Sequence, residues 1–124
     1  MTSLTSGNTA LDAAEKVRIA VATASEGKAE NIVALDVRGI STVTDYFVIM
    51  TGSSLNHLKA LGKRIEEELI AAGTKASRVD GFGATSWLVL DYGNVIIHAM
   101  LAEPRRLYDL ERLWGDAPLV ELEA

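Results

Sequence analysis

Trp87-Leu-Val-Leu-Asp-Tyr-Gly-Asn-Val-Ile-Ile-His-Ala-Met100 is the stretch from which the fold can be worked out. Two β-rich runs, Ser86 to Tyr92 and Val95 to Leu101, flank Gly93-Asn94, a pair suited to a tight hairpin turn. A two-residue turn there sets Tyr92 opposite Val95, Leu90 opposite Ile97 and Leu88 opposite Ala99. All six fall on one almost purely apolar face, which has to be core. The other face carries Trp87, Val89, Asp91, Ile96, His98 and Met100. Moving the turn back to Tyr92-Gly93 leaves these two sets intact, whereas a three-residue turn would scramble them. The second face, with its indole, carboxylate, imidazole and thioether, has two readings. It is a partner-binding surface, since such surfaces are enriched in Trp, Tyr, Arg and Met. Or a helix covers it, Trp87 fills a gap and His98 is a satisfied core histidine.

Outward from the hairpin, Leu11, Ala14, Val17, Val21 and Ala24 recur at helical spacing up to Gly27. Asn31 to Val37 reads as a strand, Gly39 to Thr44 as a turn, and Tyr46 to Met50 as a strand buried on both faces. Thr51-Gly-Ser-Ser54 opens a helix whose apolar stripe is Leu58, Leu61, Ile65 and Leu69, with Gly73 as its stop. A weaker strand follows near Ser77 to Gly81. Pro104 suits the first turn of a last helix, with Leu107, Leu110 and Trp114 as its buried stripe and Gly115 as its end. The order α-β-β-α-β-β-β-α makes this an α/β protein with a mixed five-stranded sheet flanked by helices. The one long helix between the second and third strands suggests a parallel crossover there, with hairpins elsewhere. Residues 1–9 read as a flexible N-terminal tail, 10–115 as a single domain, and 116–124 as an acidic tail or an extra extended segment.

The composition supports a single globular domain: 124 residues, 48% of them hydrophobic. With 17 acidic against 12 basic residues the net charge is −5, which argues against a phosphate-backbone binder. There is no cysteine, so disulfides, thiolate metal sites and cysteine nucleophiles are excluded. The first residues do not read as a signal or transit peptide, no apolar run approaches the roughly 20 residues that span a bilayer, and the expected location is the cytoplasm.

Catalytic chemistry finds few residues. The two histidines, His57 and His98, lie on different elements without a metal-ligand spacing. Ser53 and Ser54 read as helix caps rather than nucleophiles. A strand, Gly52-Ser53 and then a helix is similar to the start of the nucleotidyltransferase fold. That chemistry needs clustered carboxylates to hold divalent ions, and Asp36, Asp45 and Asp91 are scattered, unless the sheet brings two together. A small nucleotidyltransferase therefore remains as the alternative, and a purely structural dimer module as a third possibility.

Six stretches carry a family likeness in order: Ile32-Val-Ala-Leu-Asp-Val37, Thr44-Asp-Tyr-Phe-Val-Ile49, Thr51-Gly-Ser-Ser54, Trp87-Leu-Val-Leu-Asp-Tyr-Gly93, Val95-Ile-Ile-His98 and Arg105-Arg-Leu-Tyr-Asp-Leu-Glu-Arg-Leu-Trp114. The chain resembles the Iojap family, the ribosomal silencing factors, from the first helix to Trp114. The resemblance implies a nucleotidyltransferase-like scaffold without the chemistry, no cofactor and no metal. It implies a factor that binds the large ribosomal subunit through large-subunit ribosomal protein fourteen and blocks joining of the small subunit when nutrients are scarce. A homodimer in the free state is also implied, without membrane or direct sequence-specific nucleic-acid binding. Family contact positions carry over onto Trp87, Asp91, Tyr108, Arg106 and His98. Trp87 and Tyr108 would be aromatic anchors, and Asp91 would pair with a lysine or arginine of the ribosomal protein.

Overall fold

The computed structural model describes residues 12–81, 86–109, 112, 115 and 117–120. The expected N-terminal tail lies outside them. The described elements are α1 (Ala13–Glu26), β1 (Glu30–Asp36), β2 (Tyr46–Thr51), α2 (Leu55–Ala71), β3 (Arg78–Asp80), β4 (Trp87–Asp91), β5 (Val95–Met100) and α3 (Ala102–Tyr108). This is the expected order, and the sheet is five-stranded and mixed, arranged β1-β2-β5-β4-β3.

The two long helices, α1 and α2, start where side chains can satisfy free N–H groups. Asp12 accepts from the Glu15 amide, and Ser54 accepts from the His57 amide. α2 ends at Ala71, and Gly73 follows with φ 103°, a conformation that glycine adopts without a Cβ penalty. Its stripe is as read from the sequence, with Leu58, Leu61, Ile65 and Leu69 all buried.

Central position goes to the two most apolar strands. β2 and β5 pair in parallel, Val48 beside Ile97 and Met50 beside Ala99. The crossover through α2 joins β2 to β3, which point the same way but are not neighbours. β3 takes the far edge, and the β4–β5 hairpin fills the space between. Both long helices contribute to one core on one face of the sheet. Val17, Ala20, Ala24, Leu61 and Ile65 pack with Ala34, Val48, Leu88, Leu90, Ile97 and Ala99. Each Val, Leu or Ile among them, fully buried, stabilises the fold by about 1.5–3 kcal/mol, and each alanine by about 0.8 kcal/mol.

The last helix differs from expectation. Asp109 takes a left-handed conformation (φ 47°), so α3 stops at Tyr108 rather than continuing to Gly115. The stripe expected on one helix is thereby broken: Leu107 is 66% exposed, while Leu110 and Trp114 lie outside the described residues. Gly115 sits in a turn, its amide donating to the Arg112 carbonyl. Of the two readings of the segment after Gly115, residues 118–120 follow the extended one and add to the β1 edge. The Asp36 amide donates to Pro118 O at 2.9 Å and the Val120 amide to Ala34 O at 2.8 Å, with Leu119 bridged to Leu35.

Candidate functional site

The hairpin turn sorts its side chains as the sequence predicted. The Tyr92 amide donates to Val95 O, Leu88 pairs with Ala99 and Leu90 with Ile97. Trp87, Val89 and Asp91 therefore share the opposite face with Met100, His98 and Ile96, their direct cross-strand partners. Phe47 and Ile49 of β2 extend that face. Deep in it, Leu35, Val37, Ile49 and Met100 are buried, and Val33, Phe47, Trp87 and Ala117 pack around them. Val89, Asp91 and Ile96 are likewise only half-buried.

Trp87 and His98 are in contact. The Trp87 indole Nε1–H donates to His98 Nδ1 at 3.0 Å, with ring centroids 5.9 Å apart and planes tilted by 50°. Phe47 lies on the other side of the imidazole, 5.6 Å between centroids. His98 is only 9% exposed. Burial pushes its pKa down to about 4, because the charged ring would lose its hydration there.

Asp91 sits two side-chain positions along β4 from Trp87, about 13 Å away at ordinary strand rise. One carboxylate oxygen accepts the Gly93 amide at 2.8 Å and helps hold the turn. Its cross-strand neighbour Arg78 turns instead to Asp80, at 3.1 Å. Among the described residues Asp91 has no ion-pair partner, so it carries its charge at the end of the face. Arg106 lies on α3, exposed, 3.7 Å from Glu103. The Tyr108 backbone is the last residue of α3, and its side chain lies outside the described residues.

Two residues that hold α3 and the hairpin turn in place were not read from the sequence. Arg105 ties α3 to the sheet: its guanidinium donates to Asn31 O and, at 2.9 Å, to Thr51 Oγ1. Asn31 receives it from an irregular stretch of β1, where φ is 51° and the β1–β2 register shifts. Nothing in the sequence links Asn31 to an arginine on α3, because the contact is long-range and is made to a backbone carbonyl. Lys16 is the second. It is buried on α1, and its ammonium donates to Tyr92 O at 3.2 Å and Asn94 Oδ1 at 2.7 Å. Burial lowers its pKa, with Asp12 acting in opposition. A lysine inside an otherwise aliphatic helix stripe was the available signal.

The alternative metal-dependent chemistry finds no assembled donor set. Among the described residues no group of three or more His, Asp or Glu side chains is placed to hold a metal ion. Asp36 chelates Arg38 (2.9 and 2.7 Å), and it lies beside Tyr46 on the helix-covered side, across the sheet from Asp91. His57 is held by its surroundings: Nδ1 accepts the Ser53 amide at 2.9 Å, which leaves Nε2–H to donate to Gly27 O at 2.8 Å. It thus joins the end of α1 to the start of α2. No helix among the described residues is long and apolar enough to cross a membrane.

Fold and site define a two-layer α/β domain: long helices on one side of a mixed sheet, and an aromatic strip with an acidic end on the other. Residues 10–124 match the family described as ribosomal silencing factor during starvation. The ribosomal silencing factor RsfS of Bacillus subtilis is 38% identical over 107 residues, 86% of this chain and 91% of that protein. The mouse protein named mitochondrial assembly of ribosomal large subunit protein 1 is 36% identical over 69% of this chain and 39% of its own length. A crystal structure of a Chromobacterium violaceum protein superposes with a TM-score of 0.82, at 28% identity, over 85% of this chain and 88% of that one. The chain belongs to the ribosomal silencing factor (RsfS) family. The shared name is regulatory rather than catalytic and supports a ribosome-associated silencing role.

Proposed function

We propose that this chain binds the large ribosomal subunit with the sheet face around Trp87 and, by occupying the subunit interface there, prevents joining of the small subunit. The observation that carries the proposal is that both long helices pack on one face of the sheet and leave a strip of the other half-open. Both long helices contribute to the core beneath Leu88 and Leu90, while Trp87, Val89, Asp91 and Ile96 stay half-buried on the reverse. Such a strip combines a rigid aromatic anchor with apolar neighbours and a peripheral charge, the usual anatomy of a binding core and rim. The mouse relative's name, with its reference to the ribosomal large subunit, supports the choice of subunit.

In this reading the contact is large-subunit ribosomal protein fourteen. Trp87 and Tyr108 are its aromatic anchors, Asp91 meets a basic side chain, and Arg106 contributes at the rim. Asp91 mainly sets the rate and orientation of encounter, because a rim charge acts at a distance and is screened by salt. The protein acts in the cytoplasm, is a homodimer when free, and works by steric exclusion without catalysis. Sedimentation of a lysate tests the mechanism. The protein should run with free large subunits, and equal amounts on joined ribosomes would refute steric exclusion. Trp87→Ala should weaken binding to purified large subunits at least about tenfold, the loss expected of an interface anchor.

A further inference from the structure

We propose that His98 is the positioning residue of the docking face, holding the Trp87 indole in one orientation from beneath rather than touching the partner itself. The proposal rests on the reading that the Trp87 face meets the large subunit. Three observations support it. An indole N–H is a donor only, so the 3.0 Å contact makes His98 Nδ1 the acceptor and places the proton of the neutral ring on Nε2. The imidazole is wedged between Phe47 and Trp87, and with 9% of its surface exposed it has little left to offer a partner. The depressed pKa keeps the acceptor lone pair available throughout the neutral range.

Two consequences follow for recognition. An aromatic side chain already fixed in one rotamer loses less freedom when a partner covers it, so the complex forms with a smaller ordering cost. The indole's one polar atom is also directed inward. The partner therefore meets Trp87 with alkyl, aromatic or cationic groups, which suit the carbon edge and π face, and not with a carbonyl or carboxylate acceptor.

Binding of purified large ribosomal subunits, measured for wild type and four variants, tests this. His98→Phe removes the acceptor and keeps a ring, and should weaken binding about tenfold, in line with loss of an orienting hydrogen bond. His98→Asn places an amide oxygen near the Nδ1 position and should stay within about threefold of wild type. Placing 3-benzothienylalanine at position 87 by codon suppression replaces the indole N–H with sulfur, removing the donor while keeping the bicyclic ring, and should match His98→Phe; it decides the question if His98→Phe does not fold. The Trp87 indole proton should exchange slowly with solvent in wild type and His98→Asn, and rapidly in His98→Phe. Wild-type affinity in both acceptor-less and donor-less proteins, with Trp87→Ala still defective, would overturn the positioning role and leave the docking surface standing. Wild-type affinity in Trp87→Ala would overturn both.

Discussion

The two faces of the sheet are built by the same strands and sorted by nothing more than odd and even position, yet they solve different problems. On the helix side the β4 and β5 residues are Leu88, Leu90, Val95, Ile97 and Ala99, all buried under α1 and α2. Their stability comes from apolar area alone, and none needs a specific neighbour. On the reverse, polar atoms accompany the apolar ones, and the structure supplies them with partners inside the protein. The Trp87 indole finds His98, and Asp91 finds the Gly93 amide. Groups already satisfied internally add little desolvation cost when a partner covers them. A face can therefore remain half-buried and well defined only if its polar atoms are committed to each other.

The largest expected difference between the faces lies in truncation. Leu90→Ala, at 1% exposure among the core residues, should cost about 2–5 kcal/mol, the transfer and cavity terms together. Val89→Ala, its neighbour on the half-buried face, should cost about 1 kcal/mol or less because solvent already reaches it. Urea midpoints at unchanged m values measure both. Equal losses would mean that the strip at Val89 is core like its neighbours Ile49 and Met100, which would remove the basis for docking there.

Acid should separate the faces next. His98 has a folded pKa of about 4 against an ordinary value of 6.5, so below pH 6.5 the unfolded chain takes up a proton that the folded chain refuses. Stability contributed by the neutral ring is complete above pH 6.5 and is lost as pH falls toward 4, at most about 3 kcal/mol in total. Its direct cross-strand neighbours, Val89 and Ile49, do not titrate, and neither do Phe47 and Trp87 in this range. His98→Asn should flatten the wild-type loss across this window in urea titrations. An unchanged slope would place the imidazole in water and dissolve its pairing with Trp87.

How much of this was legible in advance follows from range. The hairpin faces depend on a local rule, period-two alternation about Gly93-Asn94, and the sequence states it completely. The α2 stripe and its Ser54 cap are equally local. The insertion of β5 beside β2 is not, because it requires Val48 and Ile97, far apart in the chain, to become neighbours, and each strand's pattern suits several partners. The end of α3 escaped for a different reason. Gly115 looked like the stop because glycine enters the left-handed region freely, while Asp109 enters it with only a modest penalty and does so first. Of the site, face membership was legible for Trp87, Asp91 and His98. What His98 does was not, since parity says which side chains share a face and nothing about which of them bond.

The α3 anchor should have a smaller effect, and a local one. Arg105→Ala removes the charged donor that Asn31 O and Thr51 Oγ1 share, at about 2 kcal/mol. Because the loss falls on one end of the reverse face, amide exchange should rise in α3 and near Thr51 before it rises in α1 or α2. Arg106→Ala, whose exposed side chain only approaches Glu103, should leave exchange unchanged and affect subunit binding alone. Uniform exchange changes in Arg105→Ala would mean that α3 belongs to the main core instead.

The smallest effect concerns the turn that assigns residues to faces. Gly93 has φ 83°, and a Cβ placed there meets nothing within 4 Å, so alanine would be penalised by backbone conformation and not by collision. That penalty is about 1–2 kcal/mol, and asparagine, which tolerates the left-handed region better, should lose less. A register slip of one residue would be far more damaging, since it would exchange the two faces of a strand entirely. Gly93→Ala should not cause one. The Lys16 ammonium grips the turn from α1 through Tyr92 O and Asn94 Oδ1, and Leu88 and Leu90 fit only the helix side. Cross-strand nuclear Overhauser contacts between Leu88 and Ala99 should persist in Gly93→Ala, with the urea midpoint lowered and subunit binding within twofold of wild type, a change of roughly 0.4 kcal/mol. If those contacts vanish in Gly93→Ala but survive in Lys16→Met, the turn itself, and not the core beneath it, decides which residues face the ribosome.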